Sequence, residues 1–133
     1  MSEHDEQVKL FQWARLSEGR RPELALLFAI PNGGQRHIAV ARKLKAEGVK
    51  AGVPDICLPV ARGPWHALYI ELKHGRNKAT QGQRGWIAEL RAYGNRAEVA
   101  YEFEGAKALI EEYMEWTVAI YGELMRRACG AIE

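Results

Sequence analysis

The stretch from Gly52 to Lys73 constrains this chain more than any other. It reads Gly52-Val53-Pro54-Asp55, then Ile56, Leu58 and Val60 at alternate positions, an Arg62-Gly63-Pro64-Trp65 segment, and Leu68-Tyr69-Ile70-Glu71-Leu72-Lys73. Alternating apolar residues on either side of a Gly-Pro turn predict two strands joined as a hairpin, each delivering one carboxylate. Strand side chains alternate with a period of two, so Glu71 and Lys73 share a face and Leu72 points away from it.

That face suits a hard divalent cation. Mg2+ takes oxygen ligands and is commonly held by one or two carboxylates together with substrate phosphate and water. Asp55 and Glu71 meet this need, the Leu72 backbone carbonyl offers a further oxygen, and Lys73 is placed to steady charge on an attacking water or a phosphate. A Glu-x-Lys by itself is a weak signal, because charged residues alternate on many solvated strand faces.

The rest of the chain supplies the order of elements. Glu6 to about Leu16 has helical spacing, with Val8, Phe11 and Leu10 or Trp13 facing inward, ended by Ser17-Glu18-Gly19. Leu24 to Ile30 is an unbroken apolar run, as expected of a strand buried on both faces. Pro31-Asn32-Gly33-Gly34 turns the chain; the paired glycines either let backbone N–H groups approach a phosphate or simply make a tight connection. From Arg36 to Glu47 a helix is predicted with Ile38, Ala41 and Leu44 inward and Gly48 as its cap. Thr80 opens a third helix, with Trp86, Ile87 and Leu90 as its buried stripe and Tyr93-Gly94 at its end. Glu98 to Tyr101 is strand-like, and Gly105 opens a final helix through Ala106, Leu109, Ile110 and Tyr113. The expected fold is α/β, a mixed sheet of about four strands flanked by helices in the order αβαββαβα.

With 133 residues, 47% of them hydrophobic and 27% charged, the chain is long enough for one cored domain spanning 1–133, of which 114–133 is read as a helical extension. A net charge of +2 does not by itself announce nucleic acid, but the charge is unevenly spread. Arg36, His37, Arg42, Lys43, Lys45 and Lys50 crowd one segment, and Lys73, His74, Arg76, Lys78 and Arg84 another. These would meet DNA phosphates, or else form ordinary solvated faces. Two cysteines give neither a metal spacing nor a disulfide framework, and the acidic start lacks the apolar run of a signal peptide, so the cytoplasm is the expected compartment. Four scattered histidines have no Ser or Cys partner pattern, which leaves a nucleophilic triad unsupported.

In the order Glu6-Gln7, Pro31-Asn32-Gly33-Gly34-x-Arg36, Gly48 to Asp55, Tyr69 to Lys73, and Gln83-x-x-Trp86 running on to Gly94, the chain resembles the VRR-NUC (virus-type replication-repair nuclease) family of the PD-(D/E)XK superfamily, over residues 6 to about 113. The resemblance implies a restriction-endonuclease-like core and a Mg2+- or Mn2+-dependent endonuclease acting on branched DNA such as four-way junctions or flaps. It implies catalytic Asp55, Glu71, Lys73 and Gln83, with metal held by Asp55, Glu71, the Leu72 carbonyl and Glu6. Asn32, Gly33, Gly34, Arg36, Arg42, Lys43, Lys45, Lys50, Arg76, Lys78 and Arg84 are the expected DNA contacts. The stand-alone form is similar to bacterial or phage members that work as homodimers. A stripe of Tyr113, Trp116, Thr117, Ile120, Tyr121 and Leu124 is either the dimer interface or part of the monomer's own core.

Three alternatives stay open in the residues. Glu6 competes with a simple first-turn glutamate favoured by the helix dipole, with Glu3 as the fallback ligand. Gln83 has capping-box spacing from Thr80, and capping and a place at the metal site are expected to exclude one another, with Gln81 a poor second. In function, a catalytically silent DNA-binding module and a nuclease for RNA or for one defined sequence compete with the branched-DNA reading.

Overall fold

A computed structural model of the chain describes residues 2–31 and 37–117. Helix α1 spans Glu3–Ser17, opened by a capping box in which the Ser2 hydroxyl accepts from Asp5 N–H and the Asp5 carboxylate accepts from Ser2 N–H. Its buried residues are Glu6, Leu10 and Ala14, one stripe at four-residue spacing. Val8, expected inside, is 42% exposed, so the buried stripe lies to one side of the expected face.

The apolar run after α1 does not form the expected doubly buried strand. Pro22–Leu26 is a 3-10 turn, and only Phe28–Ala29 pair as β1. Pro22, which has no N–H to lose and a preset φ, starts a helical turn at its first position. Leu24 and Leu27 point into the core, whereas Leu26 at the end of the 3-10 turn is about half exposed, as is Phe28 on β1, an edge strand paired only with β2. Helix α2, Ile38–Ala46, also departs from expectation. It has no buried residue; Ile38 is 68% exposed, and Ala41 and Leu44 are only partly covered. Gly48 follows it at φ +97°, the left-handed turn that glycine supplies after a helix.

Strands β2 (Ile56–Leu58) and β3 (Leu68–Lys73) form the expected antiparallel hairpin, in register from Ile56 opposite Ile70 to Leu58 opposite Leu68. Arg62 and Trp65 exchange backbone hydrogen bonds across its turn. Helix α3 (Gln81–Ala92) then carries the chain to β4 (Arg96–Tyr101), which lies parallel to β3, and α4 (Glu102–Glu115) follows. The sheet order is β1-β2-β3-β4, one parallel pair in an otherwise antiparallel sheet, as a helical crossover requires. The sequence reading placed the start of α4 at Gly105, but the helix begins at Glu102.

Leu10, Ile56, Leu58, Leu68, Ile70, Leu72, Ile110 and Tyr113 fill the core between the sheet and the α1/α4 layer. Only Ile87 of α3 is fully buried, with Trp86 and Leu90 partly so. Because Leu68, Ile70 and Leu72 take one face of β3, Tyr69, Glu71 and Lys73 take the other. Tyr113, the first residue of the proposed interface stripe, is fully buried, and its hydroxyl donates to the Val60 carbonyl. α4 ends at Glu115, with Trp116 extended and packed edge-on against Trp65, so of the stripe's described part Tyr113 serves the monomer's own core while Trp116, 45% exposed, and Thr117 lie past the helix on the surface. Ile120, Tyr121 and Leu124 lie outside the described residues.

Candidate active site

Asp55 is fixed from three directions. Gly52, at φ +88°, lets the chain press against the start of α3: a Cβ there would lie 3.1 Å from the Trp86 ring and 3.2 Å from the Gly82 backbone. Ile30 N–H donates to the Asp55 carbonyl at 2.7 Å, which ties the residue to the end of β1. β2 begins only at Ile56, so Leu72 has no strand partner on that side, and its N–H donates to Asp55 Oδ2 at 2.9 Å. A strand residue's N–H and C=O address the same neighbour in an antiparallel pair, which places the Leu72 carbonyl on the Asp55 side as well.

Glu71 stands against Asp55 and is 1% exposed. Its Oε2 accepts from Gln83 Nε2 at 3.3 Å and lies 3.7 Å from Lys73 Nζ, itself 7% exposed. Its Oε1 is buried without a hydrogen-bond partner. Burial, then the facing Asp55 carboxyl, push the Glu71 pKa up to about 8 against the opposing pull of Lys73, and the charge of Glu3 adds to the rise. Two carboxylates held together, one of them with an orphaned oxygen, favour a positive charge that Lys73 only partly supplies.

The sequence from residue 2 to 103 matches the model of the VRR-NUC domain. The chain belongs to the VRR-NUC family. A solved structure described as a VRR_NUC domain protein is 30% identical, with a TM-score of 0.77, and the match covers 89% of this chain and 92% of that one. No curated protein matches the chain. Membership implies a nuclease of the PD-(D/E)XK type, from a family that is typically metal-dependent.

Within this VRR-NUC domain Asp55, Glu71, Lys73 and Gln83, the set that the resemblance implies, lie together. The expected conflict at Gln83 does not arise, because an amide has two ends: Oε1 accepts from Thr80 N–H at 2.9 Å while Nε2 donates to Glu71. Capping the helix aims the donor. Glu6 is engaged elsewhere. Its Oε1 accepts from Phe103 N–H, at the start of α4, at 2.9 Å, and its Oε2 lies 3.5 Å from Lys9 Nζ on α1 itself. Glu3, one helical turn earlier, is the α1 carboxylate whose charge reaches Glu71, and it accepts from Asn77 Nδ2 at 3.0 Å. The amide that reaches the pair is that of Gln83, and Gln81 is exposed on the first turn of α3.

Among the described residues no three His, Cys, Asp or Glu side chains are grouped to hold a metal. Two carboxylates, a backbone carbonyl and the oxygens of a bound phosphodiester nevertheless make an oxygen donor set of the kind Mg2+ accepts, and the unpartnered Glu71 Oε1 fits it. The basic residues divide by place. Arg76 and Lys78 are exposed on the loop leaving β3, and Arg84, whose Nη1 donates to the Ala79 carbonyl, stands on the first turns of α3. Arg42, Lys43 and Lys45 are exposed on α2, with Lys50 after it. Asn32, Gly33, Gly34 and Arg36 lie outside the described residues. No helix among the described residues is long and apolar enough to cross a membrane.

Sequence reasoning missed Glu102 and misjudged His74. Glu102 sits at φ +61°, the only described non-glycine residue in the left-handed region. His74, expected within a basic cluster on the surface, is half-buried against it.

Proposed function

We propose that this VRR-NUC domain is a metal-dependent endodeoxyribonuclease that hydrolyses phosphodiester bonds of branched DNA, with Asp55, Glu71, Lys73 and Gln83 as its catalytic residues. The observation carrying the proposal is the buried Glu71 carboxylate, with its orphaned Oε1, crowded at a cost to itself against the half-buried Asp55 and beside one lysine. Asp55, Glu71 and the Leu72 carbonyl would hold Mg2+ or Mn2+. Such an ion, when bound, polarises the scissile phosphate and makes a water nucleophilic at neutral pH.

The chain's own residues do the remainder. Leu72 N–H holds the Asp55 carboxylate at the sheet edge, and Gln83 Nε2 holds Glu71, so neither oxygen pair needs to reorganise during the reaction. Lys73, fixed by the β3/β4 ladder, presents its ammonium where charge develops on the phosphate oxygens. Glu3 takes the outer acidic position that the family pattern suggested for Glu6, whose contacts make it a structural residue of the α1/α4 junction. The exposed Arg76, Lys78 and Arg84, and Arg42, Lys43, Lys45 and Lys50, bind phosphates along the duplex; Asn32, Gly33, Gly34 and Arg36, outside the described residues, are assigned the same role from the family pattern alone. Each chain carries one such site, so paired incisions in a branched substrate call for a homodimer.

End-labelled linear, flap and four-way-junction DNA, and RNA of the same sequences, incubated with Mg2+ or Mn2+ and in EDTA, test the proposal. Metal-dependent cuts in branched DNA with intact RNA support it. Binding without cleavage would favour a silent DNA-binding module, and preferential RNA cleavage would replace the substrate.

A further inference from the structure

Parallel pairing of β3 with β4 runs from Leu68 opposite Arg96 to Lys73 opposite Tyr101, and stops there. The next residues, His74 and Glu102, would be partners if the ladder continued. Instead Glu102 adopts φ +61°, a conformation that costs an L-residue with a Cβ stability and that glycine would adopt freely. A glutamate in this place is explained by what its carboxylate does. Oε1 accepts from Gly75 N–H at 2.8 Å, and Oε2 accepts from His74 Nδ1–H at 2.6 Å. The same two donors hold the Glu102 carboxyl below the usual carboxylate range. The turn is secured from behind as well, since the next amide, Phe103 N–H, donates to the buried Glu6 carboxylate.

Gly75 is itself left-handed at φ +64°, and a Cβ there would meet nothing. The loop it opens is therefore steered by its backbone partner and not by packing. Arg76 follows directly, then Asn77 bound to Glu3, then Lys78. On the nuclease reading above, we infer that Glu102 is a positioning residue for substrate binding: it clamps His74 and Gly75 at the end of β3 and thereby aims Arg76 and Lys78 at the DNA backbone. The sign of the effect separates this role from simple electrostatics. Deleting a carboxylate beside a basic surface strengthens DNA binding through charge alone, whereas deleting a clamp weakens it.

The test is the affinity of the full-length protein for a fluorescein-labelled flap DNA in EDTA, titrated from 50 to 200 mM salt, which needs no catalysis. Glu102→Gly relieves the backbone while releasing the loop, so its Tm should stay close to the parent's while affinity at 50 mM salt falls about fivefold to tenfold, a gap that closes toward 200 mM. The salt slope should flatten by about two, one for each of Arg76 and Lys78. Glu102→Asn, which tolerates the left-handed backbone but is too short to keep both contacts, should behave alike. Glu102→Gln, whose amide can accept from Gly75 N–H and donate to the other His74 tautomer, should restore most of the affinity. In an Arg76→Ala/Lys78→Ala background, Glu102→Gly should add less than about twofold, as expected of residues acting through one another. Unchanged or tighter binding by Glu102→Gly, or losses that add fully across the cycle, would overturn the inference while leaving the nuclease reading intact. A parent that shows this cycle but never cleaves with Mg2+ or Mn2+ would overturn the hydrolytic reading and leave the inference standing.

Discussion

Replacing Glu71 by glutamine should make the metal-free protein more stable. Glu71 is 1% exposed, faces Asp55, and has its pKa raised from an ordinary 4.5 to about 8 even with the attraction of Lys73 included. A carboxyl whose folded pKa lies above its unfolded one favours the fold fully below the unfolded value, and loses that contribution as pH rises through the folded value. Keeping it folded at pH 7 therefore costs the wild type about 3 kcal/mol as an upper bound, at about 1.4 kcal/mol per tenfold change in proton affinity. Glutamine mimics the protonated form and keeps an acceptor for Gln83 Nε2. After local relaxation the gain at pH 7 should be roughly 1–3 kcal/mol, or on the order of 4–12 °C in Tm for a domain of this size. The assay is thermal unfolding by circular dichroism in EDTA at pH 5, 6, 7 and 8. The gap should be small at pH 5, widen to pH 8, and shrink at pH 7 when Mg2+ is added, because the ion stabilises only the wild type. A variant as stable as wild type or less so at pH 7–8, or a gap independent of pH, would refute the reasoning that this carboxylate is held under strain for function.

Four further outcomes follow from other contacts. Lys73→Ala should leave Tm within a few degrees, lower cleavage at saturating DNA by a factor on the order of a hundred or more, and change affinity little; an equal loss confined to affinity would move Lys73 from chemistry to binding. Gly52→Ala combines a left-handed φ with contacts of 3.1–3.2 Å to α3, so chemical denaturation should show a loss of about 1–3 kcal/mol, and no loss would mean the loop does not press on α3 as described. Tyr113→Phe removes the donor to the buried Val60 carbonyl and should lower unfolding free energy by roughly 1 kcal/mol, read from urea melts. Light scattering at micromolar concentration should show a dimer for the full chain, and a monomer there would sink the paired-incision reading.

The β2/β3 hairpin was legible because alternation over Leu68 to Lys73 permits one facing: a one-residue slip would turn Glu71 and Lys73 toward the apolar core and Leu72 out of it. The run from Leu24 to Ile30 misled because an unbroken apolar segment has no period; Pro22 was the signal that a helical turn precedes the strand. In α2 the spacing of Ile38, Ala41 and Leu44 shows an apolar face but not whether anything covers it. Glu3 and Glu6 lie one turn apart, and which of them nears Glu71 depends on how far α1 reaches past the sheet, a tertiary fact. Gln83 was read as a choice between capping and the site because its amide was treated as one group rather than a donor and an acceptor. Glu102 was beyond reach: its partners, His74 and Gly75, are 28 and 27 residues away, and nothing local marks a glutamate as left-handed.

The most direct test of the central claim is a time course of cleavage of a labelled flap DNA in Mg2+ by the wild type and by Asp55→Asn, with Tm and metal-free DNA affinity recorded for both. Asparagine still accepts from Leu72 N–H but removes the charge facing Glu71. The expected result is Mg2+-dependent cleavage by the wild type and a loss of at least a thousandfold in the variant, with its fold retained and its metal-free affinity equal or tighter. Cleavage by Asp55→Asn at the wild-type rate would contradict the assignment of the Asp55/Glu71 pair as the active site.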